Sequence, residues 1–375
     1  MRRISVTALE PGMVTAEDVY NYSNKLIIPK GTELNDKAIA KLEYYSIINI
    51  KIADEAEELL EEMPVEEDLW ETTEPEIPSE PEQTESYSER LRKSPEFQRF
   101  ESDFQNQTEN FKSTITNMID NIEETDVNEL ISHTVSLLSS ENEYVNVFDM
   151  LHSMRQMDDS AYVHSMNVGL ICNIFAHWLR MSEEDIKTAT LCGLLHDIGK
   201  TKIPSQILKK PGRLTEWELG VIRSHPKEGY DIVANADINE HIKNAILMHH
   251  ERCDGSGYPL GLTSSQIDPF AKIVAIADVY DAMTSARVYR GAICPFEVIA
   301  AFENEGFQKY DPEYILTFLE NIIDTYMLHR VRLTNGEVGE IVYINPDKLS
   351  KPTVKVGDKY INLANEPHLF IDSII

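Results

Sequence analysis

The amino-acid sequence predicts a mainly α protein, in which an all-helical domain is flanked by a small N-terminal α+β module and a small C-terminal β unit. Three observations predict this class. Residues 146–330 form a succession of helix-like patterns without a convincing pair of strands. The run "LIIPKGTEL", followed by "INIKI", is typical of a strand, a turn, a helix and a second strand. Near the end of the chain, Asn335-Gly336 lies between alternating apolar residues, which indicates a β hairpin.

The N-terminal module covers residues 1–53 and contains no group of catalytic side chains. Asn35 is predicted to cap its helix. Sensing, dimerisation, packing and binding of a protein partner are all compatible with this module. Residues 54–89 follow, and they contain sixteen Asp or Glu and no Lys or Arg. Such a self-repelling run, which is also broken by prolines, is predicted to be a disordered acidic linker.

Residues 90–145 are predicted to be a helical lead-in with one apolar face. Its phenylalanines recur at spacings of three, four and seven: Phe97, Phe100, Phe104 and Phe111. Core packing and a coiled-coil-like homodimer both explain this face. Residues 331–375 are predicted to be a β appendage, because "PTVKVGDKYINL" repeats the hairpin pattern of "VRLTNGEVGEIVYI".

The composition excludes several classes of function. The formal net charge is −30 over 375 residues, which argues against binding of polymeric nucleic acid or of an anionic membrane surface. No apolar run approaches the ~18–20 residues that a membrane-spanning helix needs. The first residues lack the apolar segment of a signal peptide, so a cytoplasmic location is predicted. The four cysteines are widely scattered and are predicted to be free thiols.

Histidines and aspartates recur on the inward faces or at the ends of consecutive helical patterns. His196 and Asp197 end a helix that Ser182 opens with a capping pattern. Unpaired polar groups on an apolar face would cost free energy, and a pair of divalent cations would compensate all of them. Imidazole-rich sites with carboxylates suit Fe, Mn, Zn, Ni or Co. The candidate ligands are His164, His196, Asp197, His225, His249, His250 and Asp278.

The surrounding patterns predict where several of these side chains lie. His225 is predicted to end the helix that Thr215 opens, and His249 and His250 are predicted to end the helix in "INEHIKNAILMHH". Asp281 follows the candidate ligand Asp278 by three residues, so it is predicted to point to a similar face of the same helix.

Several motifs in this region occur in the order that is typical of one family: "HSMNVG", "HDIGK", "SHPKEGY", "HHERCDGSGYP" and "DVYDAMTSARVYR". Over residues 146–330 the chain resembles the HD-GYP branch of the HD phosphohydrolase superfamily. The resemblance implies an all-helical HD-type domain with two divalent ions, Fe or Mn being favoured, and with Asp197 bridging them. One ion would take His164, His196 and Asp278, and the other would take His225, His249 and His250. Ser160 stands near the place where some members have a glutamate for a third metal, which favours two ions.

The resemblance also implies a reaction, namely hydrolysis of cyclic di-GMP to pGpG or GMP by a hydroxide activated between two metals. Asp197 and Lys200 would be catalytic. The residues implied to meet the substrate are Lys200, Gly257, Tyr258, Asp281, Arg287 and Arg290. Two alternatives stay open. The chain could be a cyclic di-GMP receptor without turnover, or it could act on another cyclic dinucleotide.

Overall fold

The computed structural model describes residues 91–120, 161–210, 212–285 and 293–375 without a break. It also describes shorter pieces, which are 2–5, 9, 12–16, 19–20, 26–28, 30–32, 34, 42, 49–52, 130–131, 134, 137, 147–148 and 150–151. The chain divides into two units, Met1–Ser86 and Tyr87–Ile375. The predicted linker, the helix cap at Asn35 and the position of Ser160 lie outside the described residues.

The N-terminal unit contains two short antiparallel strand pairs. Its strands are β1 (Arg2–Ser5), β2 (Val19–Tyr20), β3 (Leu26–Ile28) and β4 (Asn49–Ile52). β1 pairs with β4, and β2 pairs with β3. The predicted turn after β3 is observed at Gly31, whose positive φ of 81° suits a residue without a side chain. Ile50 and Ile52 alternate toward a core of this unit's own, as the "INIKI" pattern predicts.

The second unit is built mainly from helices, which confirms the predicted mainly α class. They are α1 (Pro95–Asp120), α2 (Ala161–Trp178), α3 (Glu183–Leu195), α4 (Ser205–Leu208), α5 (Glu216–Ile222), α6 (His225–Val233), α7 (Glu240–Met248), α8 (Pro269–Thr284), α9 (Pro295–Lys309) and α10 (Pro312–Asp324). A 3-10 segment, Ile198–Lys202, follows α3. None of the described helices combines the length and the apolar composition that a bilayer crossing requires.

The helix starts follow local capping chemistry. Ser182 accepts a hydrogen bond from the backbone N–H of Asp185 at 3.2 Å, and Thr215 forms a reciprocal capping box with Glu218. The expected continuation of that second helix to His225 is wrong. α5 ends at Ile222 and α6 begins at His225, because Pro226 lacks the N–H that an uninterrupted helix would need and instead favours a new first turn.

The apolar face of α1 packs within the chain. Its four phenylalanines are all buried, and the ring of Phe111 meets that of Tyr162 on α2 edge to face at a centroid distance of 6.3 Å. Of the two explanations for this face, core packing therefore accounts for the pattern.

The C-terminal strands form one antiparallel sheet in the order β8-β7-β6-β5-β9. They are β5 (Arg330–Leu333), β6 (Val338–Tyr343), β7 (Thr353–Val356), β8 (Lys359–Asn362) and β9 (Ile371–Ile374). The two predicted hairpins are confirmed, with turns at Gly336 (φ 89°) and Gly357 (φ 56°). The buried side chains Leu333, Ile341 and Val354 belong to the same apolar core as the helices.

Candidate metal centre

Asp197 lies at the centre of the histidine cluster. It follows His196, the C-cap residue of α3, and its two carboxylate oxygens face different histidines. Oδ1 is 3.2 Å from Nε2 of His225, and Oδ2 is 3.2 Å from Nε2 of His196. Oδ2 is also 3.6 Å from Nε2 of His164. One buried carboxylate therefore presents an oxygen to each half of the cluster, as a bridging ligand must.

The first half brings together His164 from α2, His196 from the end of α3 and Asp278 from α8. Their ligand atoms all lie within 4.8 Å of one another. Nε2 of His164 is 3.0 Å from Oδ1 of Asp278, and Nε2 of His196 is 3.9 Å from the same oxygen. Three helices that are distant in sequence thus converge on one small volume.

The second half brings together His225 at the start of α6 with His249 and His250 at the end of α7. Their ligand atoms also lie within 4.8 Å of one another. The Nε2 atoms of His225 and His249 are only 3.1 Å apart. These two groups of three are the sets that the family resemblance implies.

Backbone carbonyls orient three of the histidines. Nδ1 of His196, His225 and His249 donates to the carbonyl three residues earlier, at 2.7, 2.8 and 2.9 Å. Each Nε2 is therefore left as the lone-pair nitrogen, which is how a second hydrogen bond prepares a metal-binding imidazole.

The centre leaves polar atoms without partners in a buried place. Nε2 of His196 and Oδ1 of Asp197 have no hydrogen-bond partner, and His196 is fully buried. Leaving such groups unsatisfied costs about 1–3 kcal/mol each. Imidazole nitrogens and carboxylate oxygens that converge in this way fit borderline divalent cations, so the cluster could bind metal.

The electrostatics also fit cations. Burial and the neighbouring histidines lower the pKa of His249, and burial lowers the pKa of His250 to about 3, so both imidazoles are neutral ligands. Burial alone would raise the pKa of Asp197 and of Asp278, but the surrounding imidazoles, together with the Lys200 ammonium in the case of Asp197, outweigh it and hold both pKa values well below the usual range. Both carboxylates are therefore ionised.

His164 differs from the other histidines. Burial alone would lower its pKa, but its hydrogen bonds to Asp278 and Asp281 outweigh burial and raise the pKa to about 9. Nδ1 of His164 donates to Oδ2 of Asp281 at 2.7 Å, and Nδ2 of Asn167 donates to Oδ1 of the same carboxylate at 3.1 Å. Asp281 is 1% exposed, so its position differs from the implied role as a substrate contact. Asp281 therefore orients the imidazole of His164 through Nδ1, the ring nitrogen that does not face Asp278.

Lys200 and the loop after His250 contact residues of the centre. The ammonium of Lys200 donates to Oδ2 of Asp197 in a close pair. The ring of Tyr258 stacks on that of His250, with a centroid distance of 4.6 Å and an interplanar angle of 26°. Gly257 is required here, because a Cβ at that position would lie 2.4 Å from the Cα of Glu251. Arg287 and Arg290 lie outside the described residues.

A family model described as the HD domain matches residues 127–314, half of the chain. The chain belongs to the HD-domain family. It is 35% identical over 212 residues to cyclic di-GMP phosphodiesterase PA4108 of Pseudomonas aeruginosa, with 56% of this chain and 51% of that protein covered. Over 144 residues it is 40% identical to 3'3'-cGAMP-specific phosphodiesterase 1 of Vibrio cholerae, with 38% and 33% covered. The chain spans about half the length of the curated relatives it matches, or less. A solved structure, Bd1817, a HDG"Y"P protein from Bdellovibrio bacteriovorus, aligns at 15% identity and a TM-score of 0.44, with 86% of this chain and 99% of that chain covered.

Sequence reasoning missed Glu251, which organises the loop of this HD domain. Its side chain is buried, and Oε1 accepts from the backbone N–H groups of Leu260 and Gly261 at 2.6 and 3.2 Å. Oε2 accepts from the N–H of Leu262 at 2.9 Å. The position of Glu251 directly after the two histidines was the available signal. The three backbone bonds become visible only in the folded loop.

Replacing Glu251 with Ala is expected to loosen the loop, because three backbone donors lose their acceptor. Amide hydrogen exchange at Leu260 and Leu262 should accelerate about tenfold or more. Glu251→Gln keeps one carbonyl oxygen, which can still accept from Leu260 and Gly261, so it should accelerate mainly Leu262. Unchanged exchange in Glu251→Ala would contradict this role. The metal content of both variants should match that of the unaltered protein, since Glu251 does not belong to either metal group.

Metal loading of the HD domain is expected to release about one proton per chain at pH 7. His164 carries that proton, because its pKa of about 9 lies above the pH, and a cation must displace it. His249 and His250 are already neutral and release none. Affinity for the ion beside His164 should therefore rise about tenfold per pH unit up to pH 9 and then level off. Titration calorimetry in buffers of different ionisation enthalpy measures the proton count, and an identical heat in all buffers would contradict the assignment.

Proposed function

We propose that this HD domain is a metal-dependent phosphodiesterase that hydrolyses cyclic di-GMP to pGpG, GMP or both. The observation that carries the proposal is the pair of three-residue groups with Asp197 between them, one oxygen toward each. His164, His196 and Asp278 would hold one divalent ion, and His225, His249 and His250 would hold the other. Fe or Mn are the ions we favour for this donor set, with Zn, Ni or Co as alternatives. When bound, two such ions supply Lewis-acid activation of water and neutralise charge on a phosphoryl group.

The side chains around the centre have separate tasks in this proposal. Asp197 contributes the negative charge that keeps two cations close together. Lys200 already reaches Asp197, so its ammonium is placed to donate to a non-bridging phosphoryl oxygen. Tyr258 forms a wall beside His250, and the edge or hydroxyl of its ring would meet a ribose or base. Arg287 and Arg290 are proposed as further substrate contacts on the strength of the family motif alone.

The relatives support this substrate class. Proteins named cyclic di-GMP phosphodiesterases match at 35% and 36% identity over 212 and 189 residues. A second candidate substrate is 3'3'-cGAMP, because a phosphodiesterase named for that molecule matches at 40% identity. A receptor without turnover is less well supported, since every ligand position that the motif implies is filled by a metal-binding side chain.

The proposal is tested with metal-free protein that is reloaded anaerobically with Fe(II) or Mn(II). Cyclic di-GMP and 3'3'-cGAMP are supplied separately, and the products are separated by chromatography. Appearance of pGpG or GMP supports the proposed reaction, and faster cleavage of 3'3'-cGAMP would replace the preferred substrate. If both dinucleotides stay intact under every metal condition, the enzyme proposal is wrong, and tight binding of intact cyclic di-GMP would favour the receptor.

A further inference from the structure

Arg223 lies at the rim of the metal centre. It follows the last residue of α5 and precedes the ligand His225 by two residues. Its guanidinium carbon lies 5.4 Å from the centroid of the Tyr258 ring, within cation–π range. Tyr258 in turn stacks on the ligand His250. A permanent cation is thus separated from the second group of ligands by a single aromatic ring.

The backbone around Arg223 is fixed to the centre. Its N–H donates to the carbonyl of Leu219 at 2.9 Å, and the carbonyl of Ile222 accepts from Nδ1 of His225 at 2.8 Å. The position of the Arg223 Cα relative to this ligand is therefore set by local hydrogen bonds. Its side chain is exposed, so it can still adjust to a ligand.

Two other cations in the described part of the centre already have partners. Lys200 pairs with Asp197, and Arg252 donates to the carbonyls of His249 and Glu251 at 3.2 and 2.8 Å. Among the residues that the structure describes, no carboxylate forms an ion pair with Arg223. In a chain of net charge −30, a cation that pairs with no carboxylate of the described segments and lies beside a metal ligand is suited to an anionic ligand.

A cyclic dinucleotide provides such an anion. It has two phosphodiester groups in one ring, and only one of them can be at the metal centre during a cleavage event. The other must lie outside the two groups of ligands, where its negative charge needs a partner. The planar guanidinium suits a phosphodiester, because it can donate two parallel hydrogen bonds to the two non-bridging oxygens.

We propose that Arg223 binds the phosphodiester that is not being cleaved, with the Tyr258 ring limiting the orientations of the guanidinium. This inference rests on the proposed function, since it assumes a ligand with two phosphodiesters. It makes Arg223 a substrate-binding residue that acts on affinity and leaves the reacting phosphate to the metal centre.

The test compares Arg223→Ala with the unaltered chain after identical metal loading. KM for cyclic di-GMP should rise about tenfold, which is typical of losing one charge-assisted contact, while kcat changes less than threefold. Arg223→Lys keeps the charge without the fork and should raise KM about threefold. Bis(p-nitrophenyl) phosphate has a single phosphodiester, so its hydrolysis should be the same in all three proteins. Arg332→Ala removes an exposed arginine from β5 and is the matched control for loss of one positive charge.

Each alternative result has a definite meaning. A KM for cyclic di-GMP within twofold of the unaltered value, or an equal loss with bis(p-nitrophenyl) phosphate, overturns the inference. Cyclic di-AMP has the same two phosphodiesters but lacks guanine, and its affinity is measured as inhibition. If Arg223→Ala weakens the binding of cyclic di-AMP less than the binding of cyclic di-GMP, the contact is to guanine and the phosphodiester assignment is wrong. If the unaltered protein shows no turnover, equilibrium dialysis of cyclic di-GMP replaces KM, and a tenfold weaker Kd keeps the inference while the enzyme proposal fails. Absence of both turnover and binding rejects both.

Discussion

Asp197→Ala is expected to lower turnover of cyclic di-GMP at least a thousandfold. The carboxylate lies between the two halves, with one oxygen 3.2 Å from His225 and the other 3.2 Å from His196. Its removal would take a negative charge from between the two proposed cations and would also deprive Lys200 of its partner. Losses of this size follow when a group on which the whole centre depends is removed. Steady-state kinetics and the metal content per chain measure the two consequences together.

Two further variants make this result specific. Asp197→Asn keeps the volume but replaces one acceptor with an N–H donor that would face an imidazole, so it should be nearly as inactive. Asp231→Ala removes an exposed carboxylate from α6, the helix that begins with His225, and should retain full activity and metal content. Retention of more than a tenth of the activity in Asp197→Ala would show that Asp197 is not the shared ligand.

Gly199→Ala is expected to destabilise the protein by about 3 kcal/mol or more, because the backbone around it leaves no space. A Cβ at Gly199 would lie 1.9 Å from the carbonyl oxygen of His225 and 2.4 Å from the backbone N of Gly229. These contacts hold the segment after Asp197 against the first turn of α6. A shift that relieves the clash would also move His225 away from Asp197. Urea unfolding and metal content measure the stability loss and the displacement.

Two other glycines provide a graded comparison. Gly229→Ala would place its Cβ 2.7 Å from a side-chain methyl of Ile246 and 3.1 Å from the backbone N of Gly199, which is less close than the 1.9 Å contact at Gly199, so a smaller loss is expected. Gly220 is exposed on α5, and a Cβ at that position would meet no atom within 4 Å. Alanine there should therefore stabilise the helix by up to about 1 kcal/mol. If Gly199→Ala unfolded at the same urea concentration as Gly220→Ala, the close approach of Gly199 to the backbone of α6 would be contradicted.

The sequence was enough to identify the side chains of the centre as candidates, but it did not determine which partner each of them contacts. Histidines and aspartates on apolar helix faces indicate compensation by cations, and the motifs place them in family order. Whether Asp281 meets the substrate or His164 depends on the orientation of one side chain, which spacing along a helix does not determine. The structure points Asp281 toward Nδ1 of His164 at 2.7 Å.

Other features depended on contacts between segments that are distant in sequence. The start of α6 at His225 was missed because a capping pattern at Thr215 predicts where a helix begins, and says little about where it ends. Glu251 was missed because its three partners are backbone groups nine to eleven residues away. The mainly α class was predictable, because it rests on periodicity and turn residues that act locally.

The C-terminal sheet shares the apolar core of the helices, and this limits how the chain can be shortened. Glu303 on α9 accepts the backbone N–H of Leu349, in the segment between β6 and β7, at 2.6 Å. Cutting near residue 330 would expose apolar side chains of the helices that Leu333, Ile341 and Val354 now cover. The strands therefore keep apolar side chains of the helices away from water. A fragment without them is expected to self-associate and to fold poorly.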